Sequence, residues 1–410
     1  MAHRLSIFAV AILVALAYAA PATGEPDLQK ALSMTSISHG GDPDDLTAFG
    51  NLDLVKQTGA GWVRLWIRWD KAQLYAPSLL PWSMVDSPAN NAPFCGTGCG
   101  FRYIASIDAQ IAAARAAGLN VILVSWNFPR WANGTLGKPP EWAREDRGTA
   151  ATPSDQLKPM EMRIPIGELG PEGYYGRWID WLVARYAGYG RAFALEVMNE
   201  PNLQMWPQQG PSPTGDPFAP GPVVIGSYTA QMMNTARTVA ARRGNPILMA
   251  GPALSDHVRP DSRLETNFLT AVPATLAELA PAGWSENFVW THHNYADVER
   301  AAEAPTRAAL ARSYLVGRWG GRGGPSDPKV WLTEGGARLG SGEAGDVTRQ
   351  AELVRRNWER MSASPGIEMW TNYMLFSNPY ADSGLREDRL SGGAPRPVWN
   401  TFAHLPAARP

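Results

Sequence analysis

The feature that most constrains the fold is a regular alternation of short apolar runs with helical patterns along almost the whole chain. Eight runs have the length and composition of buried strands, and seven stretches between them repeat apolar residues at helical spacing. The predicted strands are Ser33–Ser38, Gly61–Trp69, Asn120–Trp126, Ala192–Asn199, Pro246–Gly251, Asn287–His293, Lys329–Glu334 and Ile367–Leu375. The predicted helices are Asp45–Thr58, Ile104–Ala117, Tyr174–Tyr186, Ser227–Arg243, Asn267–Leu279, Val298–Arg318 and Val347–Met361.

This alternation predicts an α/β fold, a (β/α)8 TIM barrel with long βα loops. The strand-like runs are apolar on both faces, as parallel strands covered by helices are. Long irregular segments, Lys71–Gly100, Asn127–Gly173 and Pro201–Pro222, each follow a predicted strand. Such βα connections lie on the carboxyl face of a barrel, where active sites are built. An open doubly wound sheet is the alternative, but no glycine-rich phosphate fingerprint follows the first strand.

The first 19 residues have the pattern of a secretory signal peptide. His3 and Arg4 precede an apolar stretch that ends near Leu16, and small residues around Ala19 suit a cleavage site. An uncleaved membrane anchor is the alternative, although the apolar run is short for one. We therefore expect residues 20–410 to form a single catalytic domain that is secreted, extracellular or periplasmic, with no membrane contact after cleavage.

Composition limits the possible partners. The 37 basic and 38 acidic residues are evenly mixed and no basic patch is visible, which argues against a nucleic-acid partner. The 17 tryptophans exceed ordinary usage, and indole rings stack on sugar rings in carbohydrate clefts as well as filling cores. These observations suit a carbohydrate-binding enzyme, and we expect it to be a monomer.

The two cysteines, Cys95 and Cys99, flank a short glycine-rich loop. A disulfide between them is expected in an exported protein, with free thiols as the alternative.

Two of the apolar runs end in a glutamate at a turn. The segment 193–202 reads FALEVMNEPN and the segment 330–336 reads VWLTEGG, so Glu200 and Glu334 follow the fourth and seventh strands. The proline or glycine after each glutamate stops the strand there. Two carboxyls at the same end of a barrel, about 5 to 5.5 Å apart, are what a retaining glycoside hydrolase uses as acid/base and nucleophile. Taken singly, either glutamate could be an ordinary turn residue.

The two glutamate segments resemble those of clan A glycoside hydrolases, whose catalytic acids follow strands four and seven. The strand-four segment through Trp206 is similar to family 39 enzymes, and its Asn-Glu-Pro core is shared with family 5 cellulases and mannanases. The resemblance implies that Glu200 is the acid/base and Glu334 the nucleophile. It also implies that Asn199 binds the 2-hydroxyl of the sugar, where a helix or loop cap is the alternative role.

The resemblance extends to residues on other strands. Arg64 matches an arginine that supports the nucleophile, although Arg68 could take that place. His293 and Tyr295 match a His-x-Tyr that ends strand six, with the tyrosine donating to the nucleophile.

The two adjacent histidines, His292 and His293, together with Asp297 would alternatively allow a metal site. No further ligand motif accompanies them, so His292 is expected to be a core histidine, and neither metal nor cofactor is expected.

Aromatic residues near the strand ends complete the predicted site. Trp370 matches a strand-eight indole that forms a sugar platform, and a core position is its alternative. Trp126 and Asn127, at the end of strand three, are predicted to line the cleft.

Two residues depart from the family pattern and bear on the exact family and on the substrate. Gly335 stands where many relatives have an aromatic residue, and Met198 stands where family 39 has tryptophan.

The sequence thus predicts a retaining glycoside hydrolase that acts on β-linked oligo- or polysaccharides. An exo-acting enzyme like a β-xylosidase or β-glucosidase remains open, as does a barrel that binds carbohydrate without catalysis. A metal-dependent hydrolase would need histidines clustered at several strand ends, which the sequence lacks.

Overall fold

The structure is a computed structural model that describes residues 28–34, 44–91, 99–129, 131–132, 166–202, 222–256, 268–279, 287–300, 305–319, 327–339, 346–378 and 382–408. The predicted signal peptide and Cys95 lie outside these ranges, so the signal peptide and the disulfide both stay predictions. None of the helices in the described ranges is both long and apolar enough to cross a membrane.

Eight parallel strands close into a barrel in which each strand pairs with its neighbours in chain order. The strands are β1 Gln29–Ser33, β2 Trp62–Arg68, β3 Asn120–Trp126, β4 Phe193–Glu196, β5 Leu248–Ser255, β6 Phe288–His293, β7 Val330–Gly335 and β8 Ile367–Tyr373. The predicted (β/α)8 barrel is confirmed.

Helices lie between the strands and cover the outside of the barrel. They are α1 Asn51–Gln57, α2 Trp69–Ala72, α3 Gly100–Ala116, α4 Tyr174–Tyr186, α5 Pro222–Arg242, α6 Phe268–Glu278, α7 Tyr295–Glu299, α8 Arg307–Trp319, α9 Val347–Ser362 and α10 Pro397–His404. Their apolar faces pack on the outward side chains of the strands and form the largest of the three hydrophobic clusters among the described residues.

The barrel interior is layered. At its base, every strand contributes one apolar side chain to a separate cluster: Ala31, Trp62, Ile122, Ala194, Leu248, Val289, Trp331 and Met369. Because side chains two residues apart point to the same face of a strand, the next layer is formed two positions later. In six strands that position is polar and fully buried: Ser33, Arg64, Glu196, Thr291, Thr333 and Thr371. Buried polar groups in proteins are mostly hydrogen-bonded, and in this layer Arg64, Glu196 and Thr333 are bonded to one another. The layer therefore places charged groups beneath the carboxyl face.

The first strand lies earlier than predicted. The predicted strand began at Ser33, whereas β1 ends there. Lys30 makes β1 look like a surface segment in the sequence, but its side chain is buried. Its Nζ donates to the carbonyls of Phe402 (2.9 Å) and Leu405 (3.2 Å) at the end of α10. Burial lowers the pKa of Lys30 to about 8.

The predicted helix Val298–Arg318 is wrong as a single element, because two helices, α7 and α8, share this stretch. Pro305 lies between them. The carboxylate of Asp297 in α7 accepts the backbone N–H groups of Arg307 (2.7 Å) and Ala308 (3.1 Å), so it caps the start of α8.

Candidate active site

Arg64, on β2, is the charged centre of the polar layer. Its side chain is fully buried, and its Nε donates to Glu196 Oε2 (2.8 Å) while Nη2 donates to Asn199 Oδ1 (2.9 Å). Its Nη1 donates to Glu334 Oε1. One guanidinium thus joins β7, which carries Glu334, to the segment that leads to Glu200, and the predicted contact between Arg64 and Glu334 is present.

Arg68 lies four residues further along β2, at the mouth of the barrel. It forms a two-point ion pair with Asp70 (3.1 and 2.7 Å), and its guanidinium lies 5.3 Å from the centre of the Trp126 ring. Its guanidinium therefore lies at the mouth, away from Glu334. Of the two arginines, Arg64 is the one that contacts the predicted nucleophile.

Glu334, near the end of β7, is almost completely buried, with 4% of its surface exposed. Tyr295 donates its hydroxyl to Glu334 Oε2 (3.1 Å), and Arg64 holds Oε1. Burial raises the pKa of Glu334, whereas the positive charges of His293 and Arg64 oppose that rise. The carboxylate is fixed by donors on both oxygens, which suits a group that attacks in one direction.

Glu200 lies in the turn after β4. Its backbone has φ +43°, in the left-handed region that residues with a side chain rarely adopt, and its N–H donates to Ala253 O (3.0 Å). Pro201 follows and disfavours helical backbone before it, so this conformation carries strain. The turn directs the carboxyl to the barrel mouth, where its Oε1 lies 2.7 Å from His293 Nδ1.

His293, on β6, links the two glutamates. Its Nδ1 lies 2.7 Å from Glu200 Oε1 and 3.4 Å from Glu334 Oε2. Burial alone would lower the pKa of His293, but the carboxylates of Glu334 and Glu200 raise it above the ordinary value. A proton at this nitrogen can therefore be shared within the glutamate pair.

The side chains of Glu200, His293 and Glu334 offer ligand atoms that all lie within 4.8 Å of one another, close enough to hold a cation. The guanidinium of Arg64 is already paired with the Glu334 carboxylate, and its positive charge would repel a metal ion there. The arrangement suits proton transfer and nucleophilic attack better than metal binding.

Tyr295 is held by contacts that the sequence did not reveal. The guanidinium of Arg338 lies 5.2 Å from the centre of its ring, and Arg338 in turn forms a two-point ion pair with Glu299 (2.6 and 3.0 Å). Asp256, after β5, accepts the N–H of Ala296 (2.9 Å) and thereby caps α7, the helix that Tyr295 begins. The hydroxyl that touches Glu334 thus rests on a well-fixed helix.

The sugar platform predicted at Trp370 is wrong, and the alternative core position is correct. Trp370 is fully buried on the outer side of the barrel, against Trp358 and Phe402. Its Nε1 donates to Asn294 Oδ1 (3.0 Å). The register between β7 and β8 shifts, so the sequence alone does not indicate which residues of β8 face the barrel interior.

Tyr373, three residues later, is the strand-eight ring that lies inside the barrel mouth. It belongs to a small cluster with Trp66, Val124, Tyr295 and Met374, against which Trp126 packs.

Trp126 is half-buried and lies edge-on to Trp66, with 5.5 Å between ring centres. Asn127 has φ +60° and accepts the N–H of Phe128 with its own side chain (3.1 Å). The structure places Trp126 at the mouth, and its role in lining the cleft stays a prediction, whereas the described contact of Asn127 is made within its own turn.

His292 points out of the barrel and is fully buried against Phe268, with 5.1 Å between ring centres. Burial and the neighbouring His293 lower the pKa of His292 to about 3, so it is neutral. The expectation of a core histidine is confirmed, although among the described residues neither ring nitrogen has a hydrogen-bond partner.

The structure explains Gly335, which departs from the pattern of relatives. A Cβ at this position would lie 2.2 Å from Asn294 Oδ1 and 2.7 Å from Trp370 Nε1. The hydrogen bond between those two side chains therefore occupies the space that a larger residue after Glu334 would need.

We expect Gly335→Ala to lower the free energy of unfolding by about 1 to 3 kcal/mol, because a methyl group must displace well-packed atoms. Denaturant titration measures this change. Gly317→Ala is the matched control, since Gly317 is exposed in α8 and a Cβ there meets nothing within 4 Å. The control is expected to be neutral or to stabilise by roughly 0.5 to 1 kcal/mol. Equal stabilities of the Gly335 variant and the wild type would contradict the packing described.

The sequence model described as cellulase (glycosyl hydrolase family 5) matches residues 29–371. Among curated proteins, none matches the chain.

Solved structures share the fold. Cel5A of Thermotoga maritima, solved in complex with cellobiose, is 13% identical, with a TM-score of 0.50 over 92% of this chain and 100% of that one. An endo-β-1,4-glucanase from Xanthomonas axonopodis pv. citri is 13% identical, with a TM-score of 0.50 over 92% of this chain and 98% of that one. A broad-specificity endoglucanase from Clostridium longisporum is 11% identical, with a TM-score of 0.51 over 93% and 98%. At these identities the likeness shows the fold alone.

Proposed function

The chain belongs to glycosyl hydrolase family 5, and from that premise we propose that this glycoside hydrolase cleaves β-linked oligo- or polysaccharides with Glu334 as nucleophile and Glu200 as acid/base. The observation that carries the retaining reaction is the closeness of the two carboxylates, which have oxygens within 4.8 Å of each other. The donors that hold both oxygens of Glu334 support its role as the nucleophile. Retaining enzymes hold their carboxyls about 5 to 5.5 Å apart, whereas inverting enzymes leave about 6.5 to 9.5 Å for a water molecule.

In the first step, an oxygen of Glu334 attacks the anomeric carbon as the bond to the leaving oxygen breaks. Glu200 gives its proton to that oxygen, and a glycosyl ester forms on Glu334. Tyr295 and Arg64 support this step because they keep the Glu334 carboxylate in one orientation, aimed at the mouth.

In the second step, water attacks the same carbon and Glu200 takes its proton. The ester bond breaks, Glu334 recovers its carboxylate, and the sugar leaves with its original anomeric configuration. His293 lies within hydrogen-bond distance of Glu200. It supports the change of Glu200 from a protonated acid in the first step to a base in the second.

A β-1,4-linked glucan is the first substrate to test. The structural neighbours include endoglucanases, one of them solved with cellobiose. Trp126 supplies a half-buried ring at the mouth, and sugar rings stack on such aromatic faces. Exo-action on short β-glucosides or β-xylosides is the alternative substrate mode. Export to the extracellular space or periplasm, and a monomeric state, are further parts of the proposal.

The test is to incubate the protein with β-glucan, β-mannan, β-xylan and their oligomers and to follow the anomeric protons of newly released sugars by proton NMR. We expect the β-anomer to appear first and to convert to the α-anomer only by slow mutarotation. Initial release of the α-anomer would contradict the two-step displacement. Binding without any product from the whole panel would favour the carbohydrate-binding alternative.

A further inference from the structure

We propose that Glu196 is a positioning residue of this site, which orients Arg64 towards Glu334 and ties together the two strands that lead to the catalytic glutamates. The inference rests on the proposed function, since it takes Glu334 as the nucleophile. Glu196 lies four residues before Glu200 on β4, and it is fully buried beneath the site.

The first argument is the orientation of the guanidinium. Glu196 Oε2 accepts from Arg64 Nε (2.8 Å) and lies 2.6 Å from Nη2, so it holds one edge of the planar group. The opposite nitrogen, Nη1, is then directed to Glu334. Because the guanidinium donors are fixed in one plane, an anchor on one edge sets the direction of the other.

The second argument is a direct connection between strands. Thr333 Oγ1 donates to Glu196 Oε1 (2.6 Å) across the barrel. Thr333 immediately precedes Glu334 on β7, while Glu196 shares its segment with Glu200. One carboxylate therefore fixes the spacing of the strands from which the two catalytic side chains extend.

The third argument is charge. Arg64 is shared between two carboxylates, Glu196 and Glu334. An arginine paired with Glu334 alone would lower the basicity of that carboxylate and weaken it as a nucleophile. The negative charge of Glu196 acts in the opposite direction and raises the pKa of Glu334.

The test compares Glu196→Gln and Thr333→Val with Thr371→Val. A glutamine keeps an acceptor for Arg64 and can donate to Thr333, so it removes the charge with little change of shape. Thr371 is the matched control: it belongs to the same buried layer, and within the described residues its Oγ1 has no hydrogen-bond partner.

We expect Glu196→Gln to lower kcat roughly 10- to 100-fold and Thr333→Val roughly 3- to 10-fold, with KM nearly unchanged, because the bonds act on the reacting group and not on substrate binding. Thr371→Val is expected to match the wild type. The acid limb of the pH profile should move to lower pH in Glu196→Gln, since Glu334 then ionises more readily, and should stay in place in Thr333→Val.

A second measurement does not depend on turnover. Carbon-13-labelled glutamate carboxyls are titrated by NMR, with the Glu334 signal assigned by its loss in Glu334→Gln. We expect a lower pKa for Glu334 in Glu196→Gln than in the wild type. An unchanged pKa, or wild-type kcat and pH profile in both Glu196→Gln and Thr333→Val, would overturn the inference. Equal losses in Thr333→Val and Thr371→Val would also overturn it.

Failure of the proposed function gives a different result, namely a wild-type protein without turnover, and the NMR titration then decides the inference alone. If Glu196→Gln does not fold, Thr333→Val carries the test, because it breaks the tie between the strands while leaving the buried charges paired.

Discussion

Replacing Glu334 by Gln is expected to lower kcat at least about 10,000-fold on every substrate, because the amide cannot form the glycosyl ester on which both steps depend. The change keeps the shape of the side chain. Its amide oxygen can take the place of Oε1 and accept from Arg64, and its NH2 group then faces Tyr295, whose hydroxyl can turn to accept from it. Stability should therefore change little. Initial rates on a β-glucan and on an aryl β-glycoside measure the effect.

A matched control is Glu359→Gln, which removes the same charge from an exposed ion pair with Arg355 on α9. It should retain full activity. Activity of Glu334→Gln above about one-hundredth of the wild type would contradict the role of nucleophile.

A smaller side chain at the same position gives a stereochemical test. In Glu334→Ala, azide can enter from the face that the carboxylate has left and displace an activated leaving group directly. A single displacement inverts the anomeric carbon, so the α-glycosyl azide is expected from a β-glycoside. Formation of the β-glycosyl azide would show that another group still forms the covalent intermediate.

The barrel and its two glutamates were predictable because each depends on local patterns. Apolar runs of strand length alternate with helices, and a proline or glycine ends the strand segments at Glu200 and Glu334. In a closed parallel barrel all such ends meet on one face. The contacts of Arg64 and Tyr295 with Glu334 came from resemblance, since strand pattern alone could not separate Arg64 from Arg68, four residues away and on the same face.

Other features depend on contacts between distant segments. Lys30 is buried because the carbonyls at the end of α10 receive its amine, and these lie about 370 residues away in the sequence. Which residues of β8 face the barrel interior depends on the register shifts between β8 and β7. The sequence alone therefore could not show that Trp370 faces outward. Glu196 resembled any single acid in an apolar run until Arg64 and Thr333 were seen against it.

Glu200→Ala is expected to affect substrates according to their leaving groups. A sugar leaving group needs a proton, so kcat on β-glucan should fall about 100- to 10,000-fold. The dinitrophenolate of a dinitrophenyl glycoside is a stable anion and leaves without that proton, so formation of the glycosyl ester should remain fast. The second step still lacks a base for water, and the ester should accumulate, which gives a burst of dinitrophenol followed by slow turnover and a low KM.

Azide separates this role from that of Glu334. It needs no general base, so it should attack the ester that accumulates in Glu200→Ala and restore turnover of the dinitrophenyl glycoside. Two inversions leave the configuration unchanged, and the product is expected to be the β-glycosyl azide, opposite to that from Glu334→Ala. Equal losses on β-glucan and dinitrophenyl glycoside, without rescue, would mean that Glu200 does not act on the leaving oxygen. In that case its strained turn and its contact with His293 would serve to position the site and not to transfer a proton.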